Sequence, residues 1–491
     1  MIEGLLTSFG TMLMPEAFFF ILFGTLSGII IGAIPGLNGA MLVALSLPLT
    51  YGWSPLNAIA LLVGQYVGSI SGGLVSATLL NIPGSPSSLM TTMDAAPMAK
   101  NGRPERALQL GIMASFVGGV VSWLALVFLS PPLARLALAF GPHEYFALVL
   151  AALMLIASLS DGSMVKALIS AALGMLAALP GIDMITAQPR LDFGFQQMAA
   201  GFDVLAVLIG IFAITQLVCD AGDSPVSFER LRLSSKRVAI GWQDLRAQIG
   251  NLLRSSVIGT WIGILPGVGG SIGSIVAYAT AKNMSRTPEK FGTGCDDGII
   301  ASESANNATV GGALIPMITM GIPGSIIDVI LIAALTLHNV RPGPLLFQNE
   351  PAIVYGFMSS MMIANILMLV IMLFGIRLIA RLIDVPQKYL IPVLLLLCVV
   401  GTYAVNNRIF DVWVMLAFGI LGIAFRWFKI PVAPFVIGFI LTPVAETNLR
   451  TALITSEDDL STFLTRPFSA AFLLLALLML FLPLFRRKQP V

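Results

Sequence analysis

Between Glu16 and Asp94 the chain has no charged side chain, and the runs Ala107 to Ala134, Ser255 to Ala281, Pro351 to Ile376 and Pro467 to Phe485 are likewise charge-free. Such runs predict membrane-crossing helices, because about 20 apolar residues span the hydrocarbon core. Several are longer than one crossing and are cut by proline and glycine. Proline removes a backbone donor and glycine lets the chain turn, so each Pro-Gly pair divides an apolar run into two pieces that meet inside the membrane. The first helix is predicted over Ala17 to Ile34, stopped by Pro35-Gly36, with a returning piece over Leu37 to Leu49. Tyr51-Gly52-Trp53-Ser54-Pro55 reads as an interfacial loop, and the next helix, Leu56 to Leu80, runs into the break Asn81-Ile82-Pro83-Gly84-Ser85. A polar segment from Ser85 to Arg106 follows, then helices over Ala107 to Leu129, Tyr145 to Leu159, Ser163 to Leu179 and Asp203 to Cys219.

The pattern then starts again. Residues 221–250 form a basic cytoplasmic linker with Arg230, Arg232, Lys236, Arg237 and Arg246, between a first membrane repeat over 1–220 and a second over 251–491. Ile262-Gly263-Ile264-Leu265-Pro266-Gly267 echoes Ile31-Gly32-Ala33-Ile34-Pro35-Gly36, and Gly321-Ile322-Pro323-Gly324-Ser325 echoes the break at Asn81 to Ser85. A double glycine precedes each second break, Gly72-Gly73 and Gly311-Gly312. Equivalent loops differ in charge: Thr50 to Pro55 has none where its counterpart has Lys282, Arg286 and Lys290, and Lys100, Arg103 and Arg106 stand against Arg341 alone. The positive-inside rule then puts equivalent loops on opposite sides, as inverted-topology repeats require, and puts the linker and the Arg486-Arg487-Lys488 tail inside. The predicted fold is an all-α polytopic membrane protein. It has two inverted-topology repeats of discontinuous, Pro-Gly-broken helices or re-entrant hairpins around a midplane site, with about 10–14 membrane segments. Four helices follow the second break in one half and five in the other, and Pro131 to Gly141 is the ambiguous piece.

Composition agrees with the lipid setting: of 491 residues 57% are hydrophobic and 11% charged, with a mean hydropathy of +0.92. A net charge of +2, scattered over short loops, argues against a nucleic-acid partner. Glu3 stands where a signal peptide would be basic and no small-residue cleavage site follows, so the first apolar run is expected to be retained. Cys219, Cys295 and Cys398 match no metal or redox spacing.

The working centre is placed at Glu303-Ser304-Ala305-Asn306-Asn307-Ala308 and the following break, where a carboxylate and two amides sit in lipid-like sequence. Discontinuous helices of this kind mark substrate sites in transporters. Short helices opening after each Pro-Gly can aim backbone amides at carboxylate oxygens, so the candidate substrate residues are Pro35, Gly36, Asn81, Pro83, Gly84, Ser85, Pro266, Gly267, Asn306, Asn307, Pro323, Gly324 and Ser325, with Ser87 as a further donor. One helix end supplies up to about 2 kcal/mol, well short of desolvating a di- or trianion. A coupling cation, Na⁺ or H⁺, is the economical supplement: Na⁺ at Asn81, Asn306 and Asn307, or a proton on Glu303 or Asp94. On a helix, positions 303, 306 and 307 share one face, so all three side chains are expected to line one cavity.

The bland readings are specific. The double glycines serve helix packing, a single Pro-Gly is a kink, Asp94, Asp296 and Asp297 are solvated near loops, and His143 and His338 are structural. No other cofactor is implied. Gly269-Gly270-Ser271-Ile272-Gly273 fits a Gly-x-Ser-x-Gly pattern without the strand-turn-helix context that an intramembrane serine-type enzyme would need, and no Walker A lysine motif exists, so the chain is expected not to be an enzyme. A passive anion channel is the remaining alternative.

The Pro-Gly pairs, Leu79-Leu80-Asn81-Ile82-Pro83-Gly84, Glu303 to Ala308, Gly321 to Ser325 and Arg341-Pro342-Gly343-Pro344 resemble the large membrane subunit (TctA) of the tripartite tricarboxylate transporters. The resemblance covers most of the chain and is most specific between Pro266 and Pro344; Asp94-Ala95 stands where the family often has Asp-Gly. It implies a multi-pass permease of the bacterial inner membrane, a symporter of small carboxylates such as citrate. Its implied partners are a small TctB-like membrane subunit and a TctC-like periplasmic solute-binding protein that delivers the substrate.

Overall fold

The computed structural model describes residues 2–160, 163–183, 185–222, 242–267, 269–382 and 387–485. The first half opens with α1 (Ile2–Met12), α2 (Pro15–Ala33), α3 (Gly39–Ser46), α4 (Pro55–Leu79), α5 (Leu89–Lys100) and α6 (Pro104–Ala137). It continues with α7 (Pro142–Leu159), α8 (Met164–Ala177), α9 (Val204–Leu208) and, beyond a π-helical turn over Ile209–Ile214, α10 (Thr215–Gly222). The second half has α11 (Trp242–Ile264), α12 (Gly269–Met284), α13 (Asp296–Met320), α14 (Ile326–Leu337), the short α15 (Leu346–Asn349) and α16 (Pro351–Leu382). Then come α17 (Gln387–Asn406), α18 (Ile409–Trp427), α19 (Val432–Thr455), the short α20 (Thr462–Thr465) and α21 (Pro467–Phe485). Among the described residues, 8 helices are long and apolar enough to cross a membrane. One two-stranded antiparallel ribbon, β1 (Gly181–Ile182) on β2 (Pro189–Arg190), closes a loop.

Several elements depart from expectation. The segment Ser85 to Arg106 carries α5, because Leu89 to Lys100 is rich in Met and Ala. Helix α6 runs through Pro131-Pro132 to Ala137, which resolves the ambiguous piece as the end of a long helix. Helix α1 was not anticipated, and α11 begins at Trp242, inside the stretch read as linker. The linker arginines at 230, 232 and 237, Lys236 and the tail at 486–488 lie outside the described residues.

Helices α2, α3, α4, α5 and α6 recur in order as α11, α12, α13, α14 and α16. The packing recurs with the order. Helix α2 lies on α4 as α11 lies on α13, while α6 packs on α13 and α16 on α4, so each half completes the other. Glycine permits the close approaches. A β-carbon at Gly28 would meet the backbone of Gln65 and Ser69, and one at Gly259 or Gly263 would meet that of Ala305 or Thr309. Gly72, Gly311 and Gly312 are packing glycines of the same kind, against Ile29, Ser122 and Thr260 respectively. The further helices also correspond, since α8 packs on α19 where α18 packs on the π-helical turn before α10. The fifth helix of the second half is α21, which lies against α7.

Contact order gives direction. Gly24 faces Leu61 and Gly32 faces Ser69, so α2 and α4 run parallel, and α3 must bring the chain back between them. Accordingly Trp53 stacks on Phe20 with centroids 4.4 Å apart, and Asn57 donates to Glu16 at 2.7 Å. The segment from Pro15 to Thr50 is therefore a helical hairpin whose two ends are neighbours. Its counterpart α11–α12 closes the same way, with Arg254 beside Met284. Helices α4 and α13 run in opposite senses: Tyr66 meets Ser325, past the end of α13, and Ser71 meets Asn307, further back along it. One end of the protein gathers Asn101 beside Thr293, near the basic loop, and another gathers His338 beside Thr50. The central α4 and α13 are buried along nearly their whole length, whereas α2, α16, α18 and α21 turn residues such as Phe23, Phe374, Trp413 and Leu478 outward. An apolar outer face of this kind suits lipid.

Candidate functional site

The four breaks assemble into two clusters, each built from both halves. In the first, the tip of hairpin α2–α3 meets the break before α14: a β-carbon at Gly39 would fall on Ser69 and 3.2 Å from Ile327, and Tyr66 bonds Ser325 at 2.9 Å. In the second, the tip of hairpin α11–α12 meets the break before α5. A β-carbon at Gly270 would lie 2.7 Å from Asn306, 3.0 Å from Ser87 and 3.1 Å from Thr309. Gly39, Ser69 and Ile327 thus have Gly270, Thr309 and Ser87 as counterparts, and Tyr66 has Asn306.

The glycines of the breaks do different work. Gly36 and Gly267, at the hairpin tips, have φ of 91° and 70°, a left-handed turn that glycine makes without strain. At the second breaks that turn is made by Asn81 (φ 58°) and Gly321 (φ 71°), which end α4 and α13 as left-handed caps. Asn81, read from sequence as an oxygen ligand, is exposed. Gly84 and Gly324 are needed for space instead: a β-carbon at Gly324 would stand 2.7 Å from Ala313 and from the Gly263 carbonyl, and Gly84 has Gly32 and Gly73 in the equivalent places. Pro323 and Gly324 are buried, whereas Pro35, Pro83, Ser85, Pro266 and Ser325 are half-buried at the rims of their clusters.

Glu303 is fully buried, and its carboxylate accepts from Thr91 at 2.5 Å and Ser115 at 3.0 Å, on α5 and α6. Asn307, one turn on, accepts from Ser71 at 2.6 Å and donates to the Glu303 carbonyl at 3.1 Å. Asn306 does not join them. It turns to the second cluster, beside Gly270, where neither end of its buried amide has a hydrogen-bond partner. Side chains 303 and 307 are thus neighbours on one face of α13, whereas 306 parts from them and faces the hairpin tip.

Asp94 is not solvated. It is fully buried at the base of the loop before α13, where one oxygen accepts from the amides of Gly292, Gly294 and Cys295 at 2.8–3.0 Å and the other from the Tyr278 hydroxyl at 2.8 Å. Four donors saturate it, and Ala95 continues the helix with no turn for a glycine to make. Asp296 pairs with Arg106 at 2.6 Å and Asp297 with Gln248.

Asp328 was missed. It is fully buried in the first turn of α14, and neither oxygen makes a hydrogen bond of good geometry, although the Ser325 hydroxyl and the Gly324 and Ser325 backbone lie alongside. The signal was present in sequence as a lone acid within Ile326 to Leu337, three residues after Ser325.

Gly269 to Gly273 opens α12 directly after a helix, so the strand of a nucleophile elbow is missing. His143 is buried against Phe463, and His338 lies 3.3 Å from Thr50. Among the described residues no group of three or more His, Cys, Asp and Glu could hold a metal ion. Away from the breaks, a cavity of about 130 Å³ is lined by Asp183, Arg190, Glu446 and Arg450. There the Thr186 and Ile185 amides, then Arg450, hold the Asp183 carboxyl below its usual range.

Comparison with known proteins agrees with this architecture. The sequence model of the tripartite tricarboxylate transporter TctA family matches residues 18–437. An Agrobacterium vitis protein described as "Uncharacterized 52.8 kDa protein in TAR-I ttuC' 3'region" is 34% identical over 495 residues, covering 100% of this chain and 98% of the relative. A second protein of that organism, "Uncharacterized protein in TAR-II ttuC' 3'region", is 35% identical over 234 residues, 47% of this chain and 97% of its own. No solved structure matches.

Proposed function

Because the chain belongs to the tripartite tricarboxylate transporter TctA family, we propose that it is the large permease subunit of a cation-coupled secondary transporter that imports small di- or tricarboxylates. Eight membrane-capable helices among the described residues and that membership make it a multi-pass membrane protein, and a transporter family implies a non-enzymatic role. The reading extends to the bacterial inner membrane, to a small TctB-like membrane subunit and to a periplasmic TctC-like protein that hands over the carboxylate. The opposed senses of α4 and α13 and the matched hairpins support an inverted-topology pair in which both hairpins are re-entrant and their tips lie near the midplane.

One observation carries the substrate site: the unpartnered Asn306 amide. A buried polar group left without a partner costs about 1–3 kcal/mol, and here it stands at the N-terminus of α12 with Ser87 and Thr309 around it. An amide donor, hydroxyls and a helix N-terminus suit a carboxylate. Repeated inward and outward turns of the two halves about the clusters would then carry it across. Glu303, held by two hydroxyls and buried beside the joint of α4 and α13, is the residue we assign to a transported proton.

The test is uptake of labelled citrate by proteoliposomes holding this chain and its small partner, with a candidate binding protein outside, under separate Na⁺ and proton gradients. Accumulation above equilibrium and counterflow are expected. Flux that only dissipates a gradient, without counterflow, would mean a passive channel; no flux with any di- or tricarboxylate would sink the assignment.

A further inference from the structure

The two clusters are alike in shape and unlike in charge, and the difference lies in one residue. Matching Gly84 to Gly324 and Ser85 to Ser325 places Ser88 opposite Asp328. The cluster with Asn306 therefore has hydroxyls throughout, while its counterpart has a buried carboxylate. We propose that Asp328, with the hydroxyls of Ser325 and Tyr66, forms a Na⁺ site, so that cation and carboxylate occupy the two corresponding clusters separately. This rests on the cation-coupled reading above and adds a Na⁺ site to the proton assigned there to Glu303.

The ordinary explanation of Asp328 is a helix cap. Ser325-Ile326-Ile327-Asp328 has capping-box spacing, and the Ser325 hydroxyl does accept from the Asp328 amide at 3.3 Å. The return bond from the carboxylate is not made with good geometry: the Ser325 hydroxyl and the Gly324 and Ser325 backbone lie alongside, but neither buried oxygen meets a donor in hydrogen-bond geometry. Nor does a basic side chain compensate the charge. Of the elements packed on α14, α3, α4 and α9 carry no Asp, Glu, Lys or Arg. Helix α13 contributes Glu303, held by Thr91 and Ser115, and at its opposite end Asp296 and Asp297, paired with Arg106 and Gln248, while α19 contributes Glu446 and Arg450, which pair with each other and with Arg190 and Asp183 of the β1–β2 ribbon. Tyr66 is the titratable neighbour, close enough to feel the Asp328 charge and bonded to Ser325.

A buried carboxylate with no basic partner is strongly disfavoured. A proton would remove the charge but would engage only one of the two oxygens directly. A sodium ion engages both carboxylate oxygens at once, together with the hydroxyl oxygens of Ser325 and Tyr66. The N-terminal end of α14 favours a negative group, but the place is already filled by the acid, so a substrate carboxylate is repelled here and admitted at the Ser88 cluster.

The experiment uses the purified full chain in detergent and Na⁺ alone. Thermal midpoints are titrated with NaCl against choline chloride at constant ionic strength, for wild type, Asp328→Asn, Ser325→Ala and Tyr66→Phe. A saturable Na⁺ stabilisation is expected in the wild type, with apparent affinity at least tenfold weaker in Asp328→Asn and several-fold weaker in the two hydroxyl variants. Unchanged affinity in Asp328→Asn, or no Na⁺ effect in the wild type, overturns the site. So does a midpoint that answers to pH and not to Na⁺ and loses that response in Asp328→Asn, which would make the acid a proton carrier. Should Asp328→Asn not fold, Tyr66→Phe decides, and wild-type affinity there overturns the proposal. Since no carboxylate is present, this result can fail while citrate uptake succeeds, and the reverse.

Discussion

Ser71 donates a 2.6 Å hydrogen bond to Oδ1 of Asn307, and this bond joins the central helices of the two halves where they pass in opposite senses. The side-chain amide of its neighbour Asn306, on the same helix, has no hydrogen-bond partner. The two amides are expected to respond differently to truncation. Ser71→Ala leaves the Asn307 oxygen buried without its donor and should cost about 1–3 kcal/mol, seen as a lower thermal midpoint. Asn307→Ala should destabilise similarly. Asn306→Ala removes no internal bond, so its midpoint should hold while the apparent affinity for citrate falls at least tenfold in uptake assays. A stability loss at 306 matching that at 307 would return Asn306 to a structural role.

Glu303→Gln keeps the shape of a side chain held by Thr91 and Ser115 and removes its charge. Gradient-driven accumulation should be lost, whereas exchange of labelled for unlabelled citrate should survive, because exchange needs binding and reorientation without net coupling. Accumulation at the wild-type level across the working pH range would remove Glu303 from coupling.

Gly324→Ala should already impair the protein, since one methyl would stand 2.7 Å from the Gly263 carbonyl and from Ala313. A loss of about 1–3 kcal/mol is typical of such overpacking, and Gly84→Ala should behave alike. Gly52→Ala is the control for a glycine that needs its turn rather than its space: φ is 83° and nothing lies within 4 Å. Wild-type uptake and midpoint in both Gly84→Ala and Gly324→Ala would show the breaks to be simple kinks.

The loops at Tyr51 and Arg286 are expected on opposite faces of the membrane. Both residues are exposed, whereas Trp53 is covered by Phe20, so cysteines at 51 and 286 in a background lacking Cys219, Cys295 and Cys398 are the useful probes. An impermeant maleimide outside intact cells should modify 51 and spare 286. Equal labelling would end the inverted-repeat reading.

Sequence alone determined the long apolar helices and the duplicated Pro-Gly motifs, though not α1, α5 or the full length of α6. Charge-free runs, Pro-Gly pairs and duplicated motifs suffice because lipid forbids unpaired backbone, which makes a helix the forced local choice and a proline its visible interruption. It also marked Glu303, Asn306 and Asn307, since polar residues in such a setting are conspicuous. Tertiary structure decided what each polar group meets. Asp94 looked loop-bound and is saturated by four donors because the loop before α13 folds over it from nearly two hundred residues away. Positions 306 and 307 are adjacent in sequence, yet one bonds α4 and the other faces the tip of the second hairpin. Asp328 passed unnoticed as one acid in an apolar helix; only the meeting of Tyr66 from one half with Ser325 from the other shows where it lies. Helical periodicity fixes a side chain's direction on its own helix, but what it faces depends on how the two halves interlock, and that is set by packing between glycines far apart in the chain.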